Sequence, residues 1–187
     1  MVLLNKIKAV ERICRQADIH VARFKEKSGL TCLPGCGHCC VKPDIEATVL
    51  EFLPAAYSIF LDETYENILD RLENQTGSVC VFYNPFGKEG FCSNYPNRGL
   101  VCRLFGFSTK TDKHGNRIFV TCSQIKKTIQ STKLEKSIRL APEMSAYYMK
   151  LYGIDPKLSI QYLPVNEAIK EALKIVITYF QYRKKPA

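Results

Sequence analysis

Four of the nine cysteines in this chain fall within nine positions, Cys32-Leu-Pro-Gly-Cys36-Gly-His-Cys39-Cys40. Thiols gathered so tightly bind metal, pair as disulfides or carry out redox chemistry. Cys80, Cys92, Cys102 and Cys122 follow at intervals along the middle of the chain. The opening Met1-Val-Leu-Leu-Asn-Lys-Ile-Lys soon becomes charged and lacks the apolar core of a secretory signal. A chain kept in the cytoplasm, the location expected here, meets reduced thiol pools, and clustered cysteines there read as metal ligands rather than cross-links. The odd cysteine count also argues against complete internal pairing. Cys32, Cys36, Cys39, Cys40, Cys80, Cys92, Cys102 and Cys122 are therefore the candidate metal ligands.

Thiolates select zinc and iron–sulfur clusters over magnesium or calcium. Spacing alone does not separate the two, so both remain open. A [4Fe–4S] cluster is the favoured occupant and Zn²⁺ the alternative. Side chains of neighbouring residues usually diverge, so Cys39 and Cys40 suit two centres, or two irons of one cluster, better than one ion. Eight sulfurs divide evenly into two four-ligand sites, and one or two centres are expected. Cys32-x₃-Cys36-x₂-Cys39 also has the spacing of radical S-adenosylmethionine enzymes. His38 stands where those enzymes usually carry an aromatic residue, and the strand–helix repeats they need are missing from the pattern.

His38 reads as a hydrogen-bonding neighbour of the thiols rather than a ligand. Arg98 and Arg103 flank Cys102, where a cation lowers thiol pKa and offsets cluster charge. Both are candidate cofactor-supporting residues, with an ion pair to a carboxylate as the alternative. His20 and His114 read as isolated surface histidines. No paired catalytic carboxylates, Ser-His-Asp order or glycine-rich phosphate loop is legible.

The elements that must position these thiols are mostly helical. Leu3, Ile7, Val10, Cys14, Ala17, Val21 and Phe24 recur at intervals of four and three, one face of an amphipathic helix over 3–26 with Gly29 as its stop. Cys14 lies in that stripe and reads as a small buried hydrophobe. Pro34, Gly35 and Gly37 exclude a regular helix from the thiol cluster. From Asp44 the pattern is helical again, and Pro54 breaks it or opens a second helix. Asp62 is the expected cap of a helix bearing Tyr65, Ile68, Leu69 and Leu72.

Val79–Tyr83 and Phe91–Tyr95 read as a hairpin turning at 84–90, and Arg103–Thr109 with Arg117–Cys122 as a second, closed by 110–116. Helical patterns return over Ser123–Ile138, at Met144, Tyr147, Tyr148 and Leu151, and from Val165 to Phe180. The expectation is one predominantly α-helical α+β domain over 1–187. Its cysteine-cluster core, 32–122, is flanked by helices over 3–26 and 143–182. Helices pack around a cysteine-rich metal-binding centre with short β-hairpins.

At 187 residues the chain suffices for one core. Its formal charge of +9 suggests nucleic acid. Two four-thiolate centres would lower it to about +5, and the basic residues are scattered apart from Arg183-Lys184-Lys185. Nucleic acid is not expected as a partner, an unidentified protein partner is compatible with the surface, and no apolar run is long enough for a membrane span.

The chain resembles the family named for its CxxCxxCC cysteine cluster and described as zinc- or iron-chelating. The carriers are Cys32-x₃-Cys36-x₂-Cys39-Cys40, Cys80, the run Cys92-Ser-Asn-Tyr95-Pro-Asn-Arg98-Gly99-Leu-Val-Cys102-Arg103-Leu-Phe105, and Cys122. The family usually has proline where Gly99 stands, and often where Gly106 stands. The resemblance implies metal or iron–sulfur binding by the matched cysteines and says little of activity; a centre used for electron transfer, sensing or metal delivery is the expectation. A related cluster occurs in flagellin lysine methylases, which implies a protein-modifying enzyme as the alternative.

Overall fold

The computed structural model describes residues 2–32, 36–86, 92–127 and 137–182. The four-and-three spacing of the opening segment produces α1, Leu3–Ser28, whose stripe from Leu3 to Phe24, Cys14 included, is buried. It ends at Gly29, which takes the left-handed φ of 70° and returns its N–H to Lys25 O. Pro34 and Gly35 lie outside the described residues; Gly37 and the turn over 38–41 are not helical.

The next segment departs from the expected helix. Glu46–Thr48 is a strand, β1, because its backbone finds a distant partner. It pairs antiparallel with the strand at Tyr162–Pro164, in the register Glu46↔Pro164, Ala47↔Leu163, Thr48↔Tyr162. A 3₁₀ turn over Leu50–Phe52 leads into α2, Leu53–Leu61, with Pro54 in the first turn, where its missing N–H costs nothing. Asp62 closes α2 rather than opening the next helix. α3 spans Tyr65–Asn74 from Thr64, and Tyr65, Ile68, Leu69 and Leu72 pack on the core.

The first expected hairpin shrinks to one bridge, Tyr83↔Cys92, with Ser93 N donating to Phe82 O at 2.8 Å. Residues 87–91 of that expectation lie outside the described residues. Segment 79–83 is not a strand because side chains satisfy its backbone. Asn166 accepts from Val81 N at 2.9 Å and donates to Val79 O at 2.8 Å, and Arg71 donates to Val81 O. The second hairpin forms as β2, Ser108–Thr111, against β3, Arg117–Val120, but Leu100–Leu104 is a short helix, labelled α4 after α3.

α5 covers Ser123–Lys126; most of the helix expected up to Ile138 lies outside the described residues. α6, Met144–Tyr152, and the one-turn α7, Pro156–Ser159, precede β4, Tyr162–Pro164, and α8, Val165–Gln181. The fold is predominantly helical α+β. α2 lies against α8, with Phe180 between Tyr57 at 5.1 Å and Phe60 at 5.6 Å, ring to ring. α1 packs on α2, α4 and α6. Among the described residues no helix is long and apolar enough to cross a membrane.

Candidate metal centre

A cavity of about 970 Å³ opens beside this core, and all eight cysteines of the cluster pattern lie on its wall. Val21 and Lys25 of α1 form one side, the loop from Cys36 to Lys42 another, and Asn166 and Glu167 at the start of α8 a third. Cys14 is not on the wall; it is buried in α1, against Arg103. Among the described residues, no three histidine, cysteine, aspartate or glutamate side chains are gathered closely enough to hold a single ion as they stand. The thiols ring a space rather than converge on a point.

Several local devices position the thiols. Cys40 N closes a turn on Gly37 O at 2.8 Å, and Cys40 O accepts from Cys80 N at 2.8 Å, which fastens the cluster loop to segment 79–83. Backbone N–H groups then reach the sulfurs. Phe82 N–H donates to Cys80 and Asn94 N–H to Cys92. Ile125 N–H donates to Cys122 Sγ at 3.4 Å, where Cys122 caps α5. Such donors favour the thiolate that metal binding needs. Cys102 rides on α4.

Burial works the other way. It pushes Cys80 up to about 11 and raises Cys92, each eased by its amide donor. Cys32 rises to about 11, by burial first and then by Cys36. Cys102 is only partly buried by area because it faces the cavity, yet its desolvated thiol is raised well above the ordinary value, with Cys80 adding to the effect. Cys39 and Cys40 share a thiol–thiol hydrogen bond. It draws Cys39 down to about 6 against the opposing effect of burial, and it raises Cys40. Metal binding must therefore displace protons from most of these thiols.

The two arginines part company. Arg103 donates Nε to Arg98 O at 2.9 Å, bonds Pro96 O and pairs with Asp18. This is the ion-pair arrangement. Arg98 stacks on the Tyr95 ring at 3.6 Å, its charge acts on Cys39, Cys92 and Cys102, and its buried Nε has no partner among the described residues. His38 Nε2 meets Ser123 Oγ at 3.3 Å, beside Cys122. His20 is not an isolated surface group: its Nδ1 lies 3.2 Å from Tyr147 OH, and burial lowers its pKa. His114 is exposed on the β2–β3 loop.

Glu51 is the residue that sequence reasoning missed. It is 1% exposed and accepts from Thr48 N at 2.7 Å, Thr48 Oγ1 at 2.9 Å, Val101 N at 2.6 Å and Tyr148 OH at 3.4 Å. Its Oε2 thus caps α4 one residue before Cys102. A Thr-x-x-Glu spacing at Thr48 is the one signal that could have flagged it.

The donor set fits a thiolate-bound metal. Eight cysteines line one space, amides point at the sulfurs of Cys39, Cys80, Cys92 and Cys122, and a guanidinium N–H with no partner among the described residues lies beside the Cys39–Cys92–Cys102 side of the wall. A metal or cluster held there would supply Lewis acidity or electron exchange. Searches of curated proteins and of solved structures found no match. The family model CxxCxxCC, described as a putative zinc- or iron-chelating domain, matches residues 31–137, which take in every thiol of the cavity wall. The match covers more than half of the chain, and the chain belongs to this family of CxxCxxCC zinc- or iron-chelating domains.

Proposed function

We propose that this protein holds iron–sulfur in the cavity through Cys32, Cys36, Cys39, Cys40, Cys80, Cys92, Cys102 and Cys122, and uses it for electron exchange or metal delivery. The observation that carries the reading is the common wall: eight thiols facing one space of about 970 Å³. A lone tetrahedral zinc takes four sulfurs at about 2.3 Å, whereas eight thiols share this wall. A polynuclear cluster sets its cysteines further apart and carries negative charge. Arg98 then offsets that charge, and the amide donors stabilise the sulfurs. Arg103, tied to Asp18 and to the carbonyls of Pro96 and Arg98, fixes the loop that presents Arg98. A cytoplasmic location goes with this reading, because reduced thiols are its requirement.

Purification without oxygen tests it. The expected product is brown, with iron and acid-labile sulfide in equal amounts and a broad visible absorption that dithionite bleaches. Colourless protein loaded with zinc would overturn the reading.

A further inference from the structure

Two arginines flank Cys102, and they use their donors differently. Arg103 commits its guanidinium within the protein, with Nε on Arg98 O at 2.9 Å and its terminal nitrogens on Asp18 and Pro96 O. Arg98 keeps its donors. Its guanidinium lies 3.6 Å over the Tyr95 ring, both residues are on the cavity wall, and its buried Nε has no acceptor among the described residues. An aromatic face attracts the cation without using its N–H groups. The backbone sets up the stack. Tyr95–Asn97 is a 3₁₀ turn, on which side chains three residues apart eclipse, so Arg98 falls over Tyr95. The charge held there acts on Cys39, Cys92 and Cys102, which come from three different segments of the chain.

We infer that Tyr95 is a positioning residue, which holds Arg98 so that a guanidinium N–H hydrogen-bonds a sulfur of the bound centre and raises that centre's reduction potential. This rests on the iron–sulfur reading above and names the residues that set its redox behaviour. Offsetting charge asks only for a cation nearby, which lysine also supplies. A directed hydrogen bond needs the planar fork of arginine and a surface that fixes its orientation. Reduction adds an electron to a centre that is already negative. A charge-assisted donor strengthens as its acceptor gains charge, so the reduced state gains more from it than the oxidised state does. Tyr95 is 58% exposed, yet its ring lies under the guanidinium. Its role is thus to orient Arg98 rather than to fill the core.

The test loads the full chain with ferrous iron and sulfide without oxygen, then titrates it with dithionite against redox dyes of known potential. Arg98→Lys keeps the charge and loses the fork, Tyr95→Leu keeps Arg98 and loses the ring, and Tyr95→Phe keeps both. Arg98→Lys and Tyr95→Leu are each expected to lower the ratio of reduced to oxidised centre about tenfold at the wild-type midpoint, which is about 59 mV for a one-electron couple. Their iron, sulfide and far-ultraviolet circular dichroism should stay at wild-type values, and Tyr95→Phe should titrate as wild type. Arg98→Lys or Tyr95→Leu at the wild-type potential overturns the inference and leaves the iron–sulfur reading standing. So does a wild-type cluster that dithionite leaves oxidised. Wild type that assembles no cluster overturns both. Should Arg98→Lys fail to hold iron, the Tyr95 pair decides: leucine shifted and phenylalanine unshifted supports the inference, and any other result overturns it.

Discussion

Glu51 joins the helical core to the ligand-bearing helix, so its removal should be costly far beyond its one side chain. Replacing it with alanine strands two buried backbone donors, Thr48 N and Val101 N. Each buried donor left without an acceptor costs about 1–3 kcal/mol, so the pair costs about 2–6 kcal/mol, before any cavity is counted. Set against a typical total of about 5–15 kcal/mol, that is a large share of the fold's stability. Glu51→Gln should cost less, about 1–3 kcal/mol, because its single carbonyl oxygen can serve one of the two amides while its NH₂ confronts the other.

The two variants also differ in pH dependence. Burial raises the Glu51 carboxyl above the ordinary value for a glutamate, against the pull of the bonds from Val101 and Thr48. The folded state thus binds this proton more tightly than the unfolded chain does. Its contribution is full below the unfolded value and is lost as pH rises through the raised folded value. Glutamine cannot titrate, so the stability gap between wild type and Glu51→Gln should narrow as pH rises across that window. Urea unfolding at several pH values measures both effects. Variants within about 0.5 kcal/mol of wild type would refute the capping role.

Three further outcomes follow from particular contacts. Cys14→Ala should cost about 1 kcal/mol or so for a small cavity and leave bound metal unchanged, because Cys14 is buried in α1 and off the cavity wall; metal analysis with thermal unfolding checks both. Asn166→Ala removes the acceptor of Val81 N and the donor to Val79 O, so hydrogen exchange should show lost protection at Val81 with α8 itself intact. Gly106 holds φ of 87°, and a Cβ there would lie 2.8 Å from Ile125 Cδ1, so Gly106→Ala should destabilise by about 1–3 kcal/mol by thermal unfolding.

What was legible in the sequence was whatever repeats or clusters. The stripe from Leu3 to Phe24 gave α1, with its stop at Gly29. The faces at Met144–Leu151 and Val165–Phe180 gave α6 and α8, and the thiol spacing pointed to the residues that line the cavity. What was not legible depends on single long-range polar contacts, which leave no period. The segment 79–83 has the composition of a strand, yet Asn166, some 85 positions away, takes the amide a strand partner would have used. Glu46–Thr48 sits in a helix-like run, yet pairs with Tyr162–Pro164.

Gly106 and Gly99 show the same limit from opposite sides. Gly106 at φ of 87° adopts a backbone closed to proline. Gly99 stands at φ of −58°, a value proline itself adopts, and backbone is not the obstacle. Space is: a Cβ there would fall 2.7 Å from the Phe52 ring and 3.1 Å from Glu51 Oε2. The absent side chain at Gly99 lets the Leu50–Phe52 turn close onto the start of α4, which brings Glu51 within reach of Val101 N. Gly99, Phe52 and Glu51 are thus one packing unit, and it sets the position from which Cys102 faces the other thiols.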